Sequence, residues 1–251
     1  MPLRVGFDLD GTVADMYSAL HDEALKLFGE EVLRKAAYKT SKPQEIEGEQ
    51  SGKKPDADPK AEDEQATTDA MQELHLTARQ QMQLWDHVKK IENFWSKLPE
   101  LEPGIIARIA KVALERRWEV IFLTTRPSTA GELVQMQSQR WLEAHGFQYP
   151  SVYVVQRSRG KIADALQLDA FVDDRPENCL DIAVESKAKV ILIWHGLLND
   201  VPAGARRLGV KPVNRISEAV TLLEQLDDIR SKPGIVRSIK RAFGRGDDPD
   251  V

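Results

Sequence analysis

The chain has 251 residues, of which 41% are hydrophobic and 30% are charged, and this suits one large domain or a core domain with a smaller insert. Its formal charge of −5 argues against a protein that coats nucleic acid, and its apolar runs are too short to cross a bilayer. The single cysteine, Cys179, excludes an intrachain disulfide, and no signal-peptide pattern is visible, so we expect a cytoplasmic protein without a membrane partner.

The first predicted strand is "LRVGFDL", and a long insert follows it at residues 16–99. Helical periodicity predicts a small helical subdomain there, with helices in "SALHDEALKLFGEEVLRKAA" and "TARQQMQLWDHVKKIENFWSKL". Between them, residues 41–69 hold nine acidic residues, four lysines and almost nothing to bury, which predicts a disordered loop. We interpret this loop as a solvated spacer, with an interaction tail as the alternative.

Apolar strands and amphipathic helices alternate in the rest of the chain. The predicted strands are "WEVIFLTT", "DAFVDD" and "KVILIW", and the predicted helices are "GIIARIAKVALERR", "TAGELVQMQSQRWLEAHG" and "ENCLDIAVESKA". The alternation predicts an α/β core, formed by residues 1–15 and 100–230, with a parallel sheet covered by helices on both faces. Residues 231–251 form a tail with apolar positions at helical spacing. We expect it to pack on the core, with docking to anionic lipid or nucleic acid as the alternative.

Polar side chains follow the predicted strands or open the predicted helices at four places. They are Asp8 and Asp10 in "DLDGT", Thr124 and Thr125 in "LTTR", Arg159 and Lys161 in "SRGK", and Asp173 and Asp174 in "VDD". Each group alone has an ordinary explanation as a turn, a strand end, a solvated face or a helix cap. The carboxyl ends of parallel strands meet at one edge of a sheet, however, so the four groups are predicted to lie together.

Four carboxylates that converge at one edge repel each other unless a cation joins them. Oxygen ligands of this kind favour Mg²⁺. A dianionic group bound there would meet a metal ion, Lys161 and the Thr124 hydroxyl. Positive charge and a hydrogen-bond donor of this kind are what phosphoryl transfer requires. In this interpretation Asp8 attacks phosphorus as a nucleophile, and Asp10 protonates the leaving oxygen and later takes a proton from water.

In this order, the four groups resemble the four motifs of the haloacid-dehalogenase-type phosphohydrolases. More narrowly, "DLDGTVAD", "FWSKLPELEPGIIARI", "QRWLEAHG", "RGK" and "VDDRPEN" are similar to segments of the 5′(3′)-deoxyribonucleotidase family. The resemblance implies a Rossmann-like core with a helical cap inserted after the first motif. It also implies site roles, with Asp8 as nucleophile, Asp10 as acid and base, Thr124 and Lys161 as phosphate ligands, Thr125 and Arg159 near the substrate, and Mg²⁺ held by Asp8, the Asp10 carbonyl and an acid of the Asp173/Asp174 pair.

The cap decides which substrate is expected. Phe94 and Trp95 are aromatic residues that could stack on a nucleobase, and packing of the cap against itself is the alternative explanation for both. The chain departs from the family just after "AD", where Met16 and Tyr17 stand in place of an immediate aromatic residue. A small phosphorylated substrate, with nucleoside monophosphates as the leading class, is the prediction.

Two other functions compete with this prediction. A polynucleotide-end (3′) phosphatase would need a basic track for backbone phosphates, and the candidates are Arg126, Arg157, Arg159, Arg175 and the C-terminal tail. An inactive phosphatase fold could instead use residues 41–69 to bind a basic partner, but the chain keeps every predicted catalytic acid. The five histidines show no metal-ligand spacing, and none is assigned to the site.

Overall fold

The computed structural model describes residues 2–33, 74–155 and 158–231. The acidic stretch at 41–69, Arg157 and the tail beyond residue 231 lie outside the described residues, so the predictions made for them are untested. None of the described helices is long and apolar enough to cross a membrane.

A six-stranded, fully parallel sheet forms the centre of the fold. Its strands are β1 (Arg4–Asp8), β2 (Glu119–Thr124), β3 (Ser151–Val154), β4 (Ala170–Asp173), β5 (Lys189–Ile193) and β6 (Lys211–Val213). Their spatial order is β3-β2-β1-β4-β5-β6, which is the Rossmann order, and the order reverses between β1 and β4. The predicted α/β fold with a Rossmann-like parallel sheet is confirmed.

Helices cover both faces of the sheet. They are α1 (Met16–Phe28), α2 (Ala78–Val88), α3 (Ile105–Arg116), α4 (Val134–Ala144), α5 (Arg159–Ala165), α6 (Pro176–Glu185), α7 (Ala203–Arg207) and α8 (Ile216–Ser231), with 3₁₀ turns at Phe94–Lys97 and Leu198–Asp200. Successive strand residues point to opposite faces, so Phe122 and Val172 belong to one buried apolar cluster while Leu123 and Phe171 belong to the other.

Two strands and two helix ends differ from the sequence predictions. Strands β3 and β6 were not predicted; both are short edge strands, and β6 contains Pro212. The predicted helix after Leu76 ends at Val88, and its last part forms the separate 3₁₀ turn Phe94–Lys97. The first predicted helix is interrupted after Phe28 at Gly29, which takes a positive φ of 74°; residues 30–33 are helical again, and the remainder of the predicted segment lies outside the described residues.

The helical insert leaves and rejoins the core beside the carboxyl end of β1. The Asp15 amide donates to the Pro99 carbonyl at 2.9 Å, and the Leu101 amide donates to the Val13 carbonyl at 2.9 Å. Buried residues of the insert, such as Leu84 and Trp95, belong to the same apolar cluster as one face of the sheet. The insert is therefore packed directly over the edge where the predicted site residues end their strands.

Candidate active site

The turn after β1 is shaped by a glycine. Gly11 has a φ of +81°, and a Cβ at this position would lie 2.2 Å from an Asp174 carboxylate oxygen. The next residue, Thr12, donates its hydroxyl to Asp174 Oδ1 at 3.1 Å. The "DGT" part of the motif thus lets the loop after β1 lie against the loop after β4, which brings Asp8 and Asp174 together.

Three carboxylates form a buried cluster at the point where the strand order reverses. Asp8 ends β1, Asp173 ends β4, and Asp174 follows it; each offers an oxygen within 4.8 Å of the others. Asp173 is fully buried and accepts from the Arg175 amide at 2.9 Å and from Asn178 Nδ2 at 3.1 Å. This is the place where ligands bind in open α/β sheets, and the cluster presents only oxygen ligands there.

Burial makes these carboxylates hard to ionise together. It raises the pKa of Asp8 to about 7, although Arg159 opposes the shift, and the charges of Asp173 and Asp10 raise that pKa further. Burial and the charges of Asp8 and Asp173 also raise the pKa of Asp174 well above its usual range. A cation in contact with the cluster would favour the ionised forms of Asp8 and Asp174.

Arg159 is the basic residue that contacts the cluster. Its Nη2 lies 2.6 Å from Asp8 Oδ1, and its Nη1 lies 3.6 Å from Asp173 Oδ2. Nη1 is buried and makes no hydrogen bond to any described residue. The side chain therefore pairs with the predicted nucleophile through Nη2 and lies near Asp173 through Nη1.

The first turn of α5 fixes where Arg159 lies. Ser158 caps the helix, and both Ser158 Oγ and the Gly160 amide donate to the Asp181 carboxylate of α6, the amide at 2.8 Å. A Cβ at Gly160 would lie 2.4 Å from the Asp181 carbonyl oxygen, so α5 and α6 are in close backbone contact. This contact sets the distance of Arg159 from the sheet edge.

Lys161, which the resemblance implied as a phosphate ligand, lies elsewhere. Lys161 is exposed and does not line the cavity that is described below. The reason is helix geometry, because residues two positions apart on an α-helix point in nearly opposite directions. With Arg159 turned toward Asp8, Lys161 faces away from the site.

Asp10 lines the cavity, and its carboxylate is held by two residues from the end of β2. Thr124 Oγ1 donates to Asp10 Oδ2 at 3.1 Å, and Arg126 donates to both carboxylate oxygens through Nε and to Oδ1 through Nη2 at 2.7 Å. The buried Thr124 thus contacts the predicted acid and base rather than lining the cavity as a phosphate ligand. Its only described hydroxyl contact besides Asp10 is the Arg126 amide.

A cavity of about 310 Å³ opens beside these groups. Among the residues that line it are Asp8, Asp10, Asp15, Tyr17, Trp95, Thr125, Arg126, Arg159, Asp174, Arg175 and His195. Trp95 is fully buried, and its Nε1 donates to the Pro127 carbonyl at 2.9 Å. Phe94 is also buried but does not line this cavity, so of the two predicted aromatic residues only Trp95 lies at the site.

Sequence reasoning missed three residues at the cavity. His195, at the end of β5, donates from Nε2 to the Gly11 carbonyl at 3.0 Å, although no histidine was assigned to the site. Arg126 was considered only as part of a basic surface track, yet its side chain is fully buried. Tyr17 was noted only as a departure from the family pattern. The position of His195 directly after an apolar strand is the signal that could have revealed it.

Comparisons with known proteins give structural likenesses only. No family model matches the chain, and no curated protein matches it. A putative β-phosphoglucomutase from Thermotoga maritima is 15% identical with a TM-score of 0.49, covering 89% of this chain and 99% of that one. A haloacid dehalogenase-like hydrolase from Xanthomonas campestris is 15% identical with a TM-score of 0.45, covering 90% and 96%. A haloacid dehalogenase-like hydrolase from Streptococcus pneumoniae is 15% identical with a TM-score of 0.48, covering 88% and 98%.

Proposed function

We propose that the chain is a Mg²⁺-dependent phosphomonoester hydrolase of the haloacid-dehalogenase type, with nucleoside monophosphates as its leading substrate class. The observation that carries the proposal is the cluster of Asp8, Asp173 and Asp174 within 4.8 Å, with Arg159 on Asp8 and with Asp10 at the same cavity. Phosphoryl transfer through a carboxylate uses a nucleophile, an acid and base, a cation site and a basic side chain that binds the phosphoryl group.

The charge and chemistry of the cluster fit a hard divalent cation. Three carboxylates against the single charge of Arg159 leave two negative charges, and oxygen is the ligand type that Mg²⁺ prefers. Asp174 lines the cavity, whereas both Asp173 oxygens already accept from Asn178. We therefore assign the direct contact to Asp8 and Asp174, with the Asp10 carbonyl as a further ligand, and the orienting role to Asp173. When bound, Mg²⁺ would neutralise charge on the phosphoryl oxygens.

The side chains then divide the reaction between them. An Asp8 carboxylate oxygen attacks phosphorus, the bond from phosphorus to the ester oxygen breaks, and Asp10 gives its proton to that leaving oxygen. Asp10, now a carboxylate, takes a proton from water, and the hydroxide attacks the aspartyl phosphate to release phosphate and regenerate Asp8. We assign to Arg159, which lines the cavity beside Asp8, the binding of a phosphoryl oxygen.

The shape of the site favours a small substrate over a polynucleotide. A cavity of about 310 Å³ is at the lower end of the range for small-molecule sites, and Trp95 and Tyr17 line it. Of the arginines considered for a backbone-phosphate track, Arg126 and Arg159 are buried in ion pairs with Asp10 and Asp8. They cannot follow a nucleic acid backbone along the surface.

Phosphate release with and without the nucleophile tests the proposal. With Mg²⁺ present, we expect Asp8→Asn to lower the turnover of an aryl phosphate and of a nucleoside 5′-monophosphate by roughly a thousandfold or more, because no other group can form the covalent intermediate. Asp200→Asn changes an exposed aspartate outside the cavity and should keep the wild-type rate. Equal rates for wild type and Asp8→Asn would contradict the proposed reaction.

The substrate class is tested separately, on the wild-type protein. We expect faster phosphate release from mononucleotides than from a 3′-phosphorylated oligonucleotide. A faster reaction with the oligonucleotide would overturn the nucleotide assignment while leaving the reaction type intact. No hydrolysis of any phosphate ester by the wild-type protein would instead favour a binding role for the fold.

A further inference from the structure

We infer that Arg126 is a positioning residue that holds the Asp10 carboxylate in the orientation needed for proton transfer in both halves of the reaction. The inference rests on the proposed function, since it gives Asp10 the role of acid and base. It is carried by contacts that neither the sequence patterns nor the implied family roles assigned.

The Arg126 guanidinium donates hydrogen bonds to both carboxylate oxygens of Asp10. Arg126 Nε lies 2.9 Å from Asp10 Oδ1 and 2.8 Å from Oδ2, and Nη2 lies 2.7 Å from Oδ1. Two donors in one rigid plane fix both the position and the rotation of a carboxylate, which a single point charge cannot do. Thr124 adds one more donor from the other side at 3.1 Å.

Arg126 is itself immobilised by its surroundings. Its side chain is completely buried, and Nη1 donates to Ser138 Oγ of α4 at 3.0 Å. The guanidinium carbon lies 5.0 Å from the centre of the Trp95 ring and 5.8 Å from that of Trp141, within the range of cation–π attraction. The residue is thus held between the core helix α4 and the insert, which supplies Trp95.

The location of the Arg126–Asp10 ion pair indicates a role beyond stabilising the fold. Both partners line the cavity, and about 13% of the Asp10 side chain stays exposed there. A buried pair costs desolvation and often contributes little net stability, so its place at the reacting edge points to an orienting task. Arg126 and Thr124 donate to both oxygens of the Asp10 carboxylate, which also lines the cavity.

The kinetic signature follows from the two proton transfers. In the first half-reaction Asp10 gives its proton to the leaving oxygen, and a p-nitrophenolate leaving group hardly needs it because it is a weak base. In the second half-reaction Asp10 removes a proton from water whatever the first leaving group was. With an aryl phosphate, a misplaced Asp10 should therefore leave the rate of aspartyl-phosphate formation nearly unchanged and slow the hydrolysis of that intermediate.

Arg126→Lys keeps the charge and removes the planar pair of donors, so we use it as the main variant. With Mg²⁺ and p-nitrophenyl phosphate, we expect the first turnover to keep its rate within about threefold, giving a burst of one p-nitrophenolate per site. The following steady-state rate should fall about tenfold to a hundredfold, which is a part of the roughly 10²- to 10⁴-fold that a positioned acid and base contributes. With a nucleoside monophosphate, whose leaving oxygen is basic, the first turnover should slow as well, with KM changed less than kcat.

Controls separate positioning from folding. Arg140→Lys alters an exposed arginine on the same helix as Ser138 and should behave as wild type. Arg126→Ala leaves a buried carboxylate without its cation, so its thermal unfolding is measured beside its activity. Added to Asp10→Asn, the Arg126→Lys change should have no further effect on either rate, because the group it orients is gone.

Two results would overturn the inference. One is a wild-type steady-state rate in a folded Arg126→Lys variant. The other is a variant in which the second step is not slowed selectively: either only KM rises, or the first and later turnovers of p-nitrophenyl phosphate slow equally. Such kinetics would mark Arg126 as a structural or phosphate-binding residue. Failure of the proposed function looks different, because the wild-type protein itself would then release no phosphate.

Discussion

Arg159 and Lys161 are two basic residues only two positions apart, yet their surroundings are opposite. Arg159 is buried with Nη2 at 2.6 Å from Asp8, whereas Lys161 is exposed and does not line the cavity. A residue that contacts the nucleophile stabilises charge on the transferring group, and an exposed lysine outside the cavity does not.

We therefore predict different effects for the two alanine variants. Arg159→Ala should lower kcat/KM for phosphate release roughly a hundredfold or more, since it removes a charge from the reacting centre. Lys161→Ala should change kcat/KM less than about threefold and serves as the matched control. The opposite ranking in steady-state assays would restore Lys161 as the phosphate ligand that the resemblance implied.

The sequence predicted which residues would lie at the candidate site better than it predicted their contacts there. "DLDGT" and "VDD" pointed to Asp8, Asp10 and the Asp173/Asp174 pair because acids directly after apolar strands are expected to meet at one sheet edge, but the sequence did not distinguish Asp173 from Asp174. The choice between Arg159 and Lys161 depends on how α5 is rotated, which Asp181 and Gly160 decide through contacts with α6. The rotation of α5 is set by these tertiary contacts, so it cannot be predicted from the local sequence "SRGK".

At the scale of elements, the spacing of α5 and α6 controls the site. The Gly160 amide donates to the Asp181 carboxylate at 2.8 Å, and a Cβ on Gly160 would lie 2.4 Å from the Asp181 carbonyl oxygen. Backbone atoms cannot turn aside as a flexible side chain can, so any added carbon must push α5 away from α6. Arg159, at the first position of α5, would move with the helix.

We predict that Gly160→Ala lowers catalytic activity by tenfold or more and also destabilises the fold, because small misplacements of a charged group at the reacting centre are costly. Gly204→Ala in α7 is the matched control, since a Cβ there would meet only Leu180 at an ordinary 3.8 Å. Alanine is the better helix former, so that variant should be neutral or slightly more stable. Steady-state kinetics and thermal unfolding of both variants check this, and full activity in Gly160→Ala would show that α5 tolerates a shift.

The elements themselves were predictable where burial produced a pattern. Strands β1, β2, β4 and β5 are central and apolar, and their predicted ends agree with the structure within one residue. The edge strands β3 and β6 are short and only partly buried; β6 contains Pro212, whereas β3 has the strand-forming run of residues 152–155, from which a strand could have been predicted. Pairing with a neighbour, rather than local sequence, makes β6 a strand.

At the scale of the whole molecule, the strand order brings distant parts of the chain to one edge. Asp8 lies near the start of the chain and Asp173 lies 165 residues later, yet β1 and β4 are neighbours and both end at the site. The insert returns to the core through Pro99 and Leu101, beside the same edge, and contributes Trp95 to the cavity. The fold thus brings the carboxylates of Asp8, Asp173 and Asp174 together at the edge where we propose that the substrate binds.

Burial of these carboxylates, together with their mutual repulsion, gives the metal-free protein a defined pH dependence of stability. Burial raises the pKa of Asp8 from 3.8 to about 7, so between these values the unfolded chain is ionised at this residue while the folded chain still holds the proton. The folded state then binds more protons than the unfolded state, and the free energy of unfolding falls as pH rises through this window. Each pKa unit corresponds to about 1.4 kcal/mol, so the loss is a few kcal/mol. Asp174, whose pKa is also raised, acts in the same direction.

We predict that in EDTA the melting temperature of the wild-type protein falls between pH 5 and pH 8, and that Mg²⁺ raises it more at pH 8 than at pH 5. The cation is expected to stabilise only the ionised cluster, and that form dominates in the folded protein above about pH 7. Asp8→Asn has no charge to bury, so without metal it should be more stable than wild type at pH 8 and should lose most of the pH-dependent effect of Mg²⁺. Asp200→Asn, an exposed change, should follow the wild type. A wild-type protein that shows the same Mg²⁺ effect at both pH values would contradict a cation site built on Asp8, because binding there must displace a proton at the lower pH.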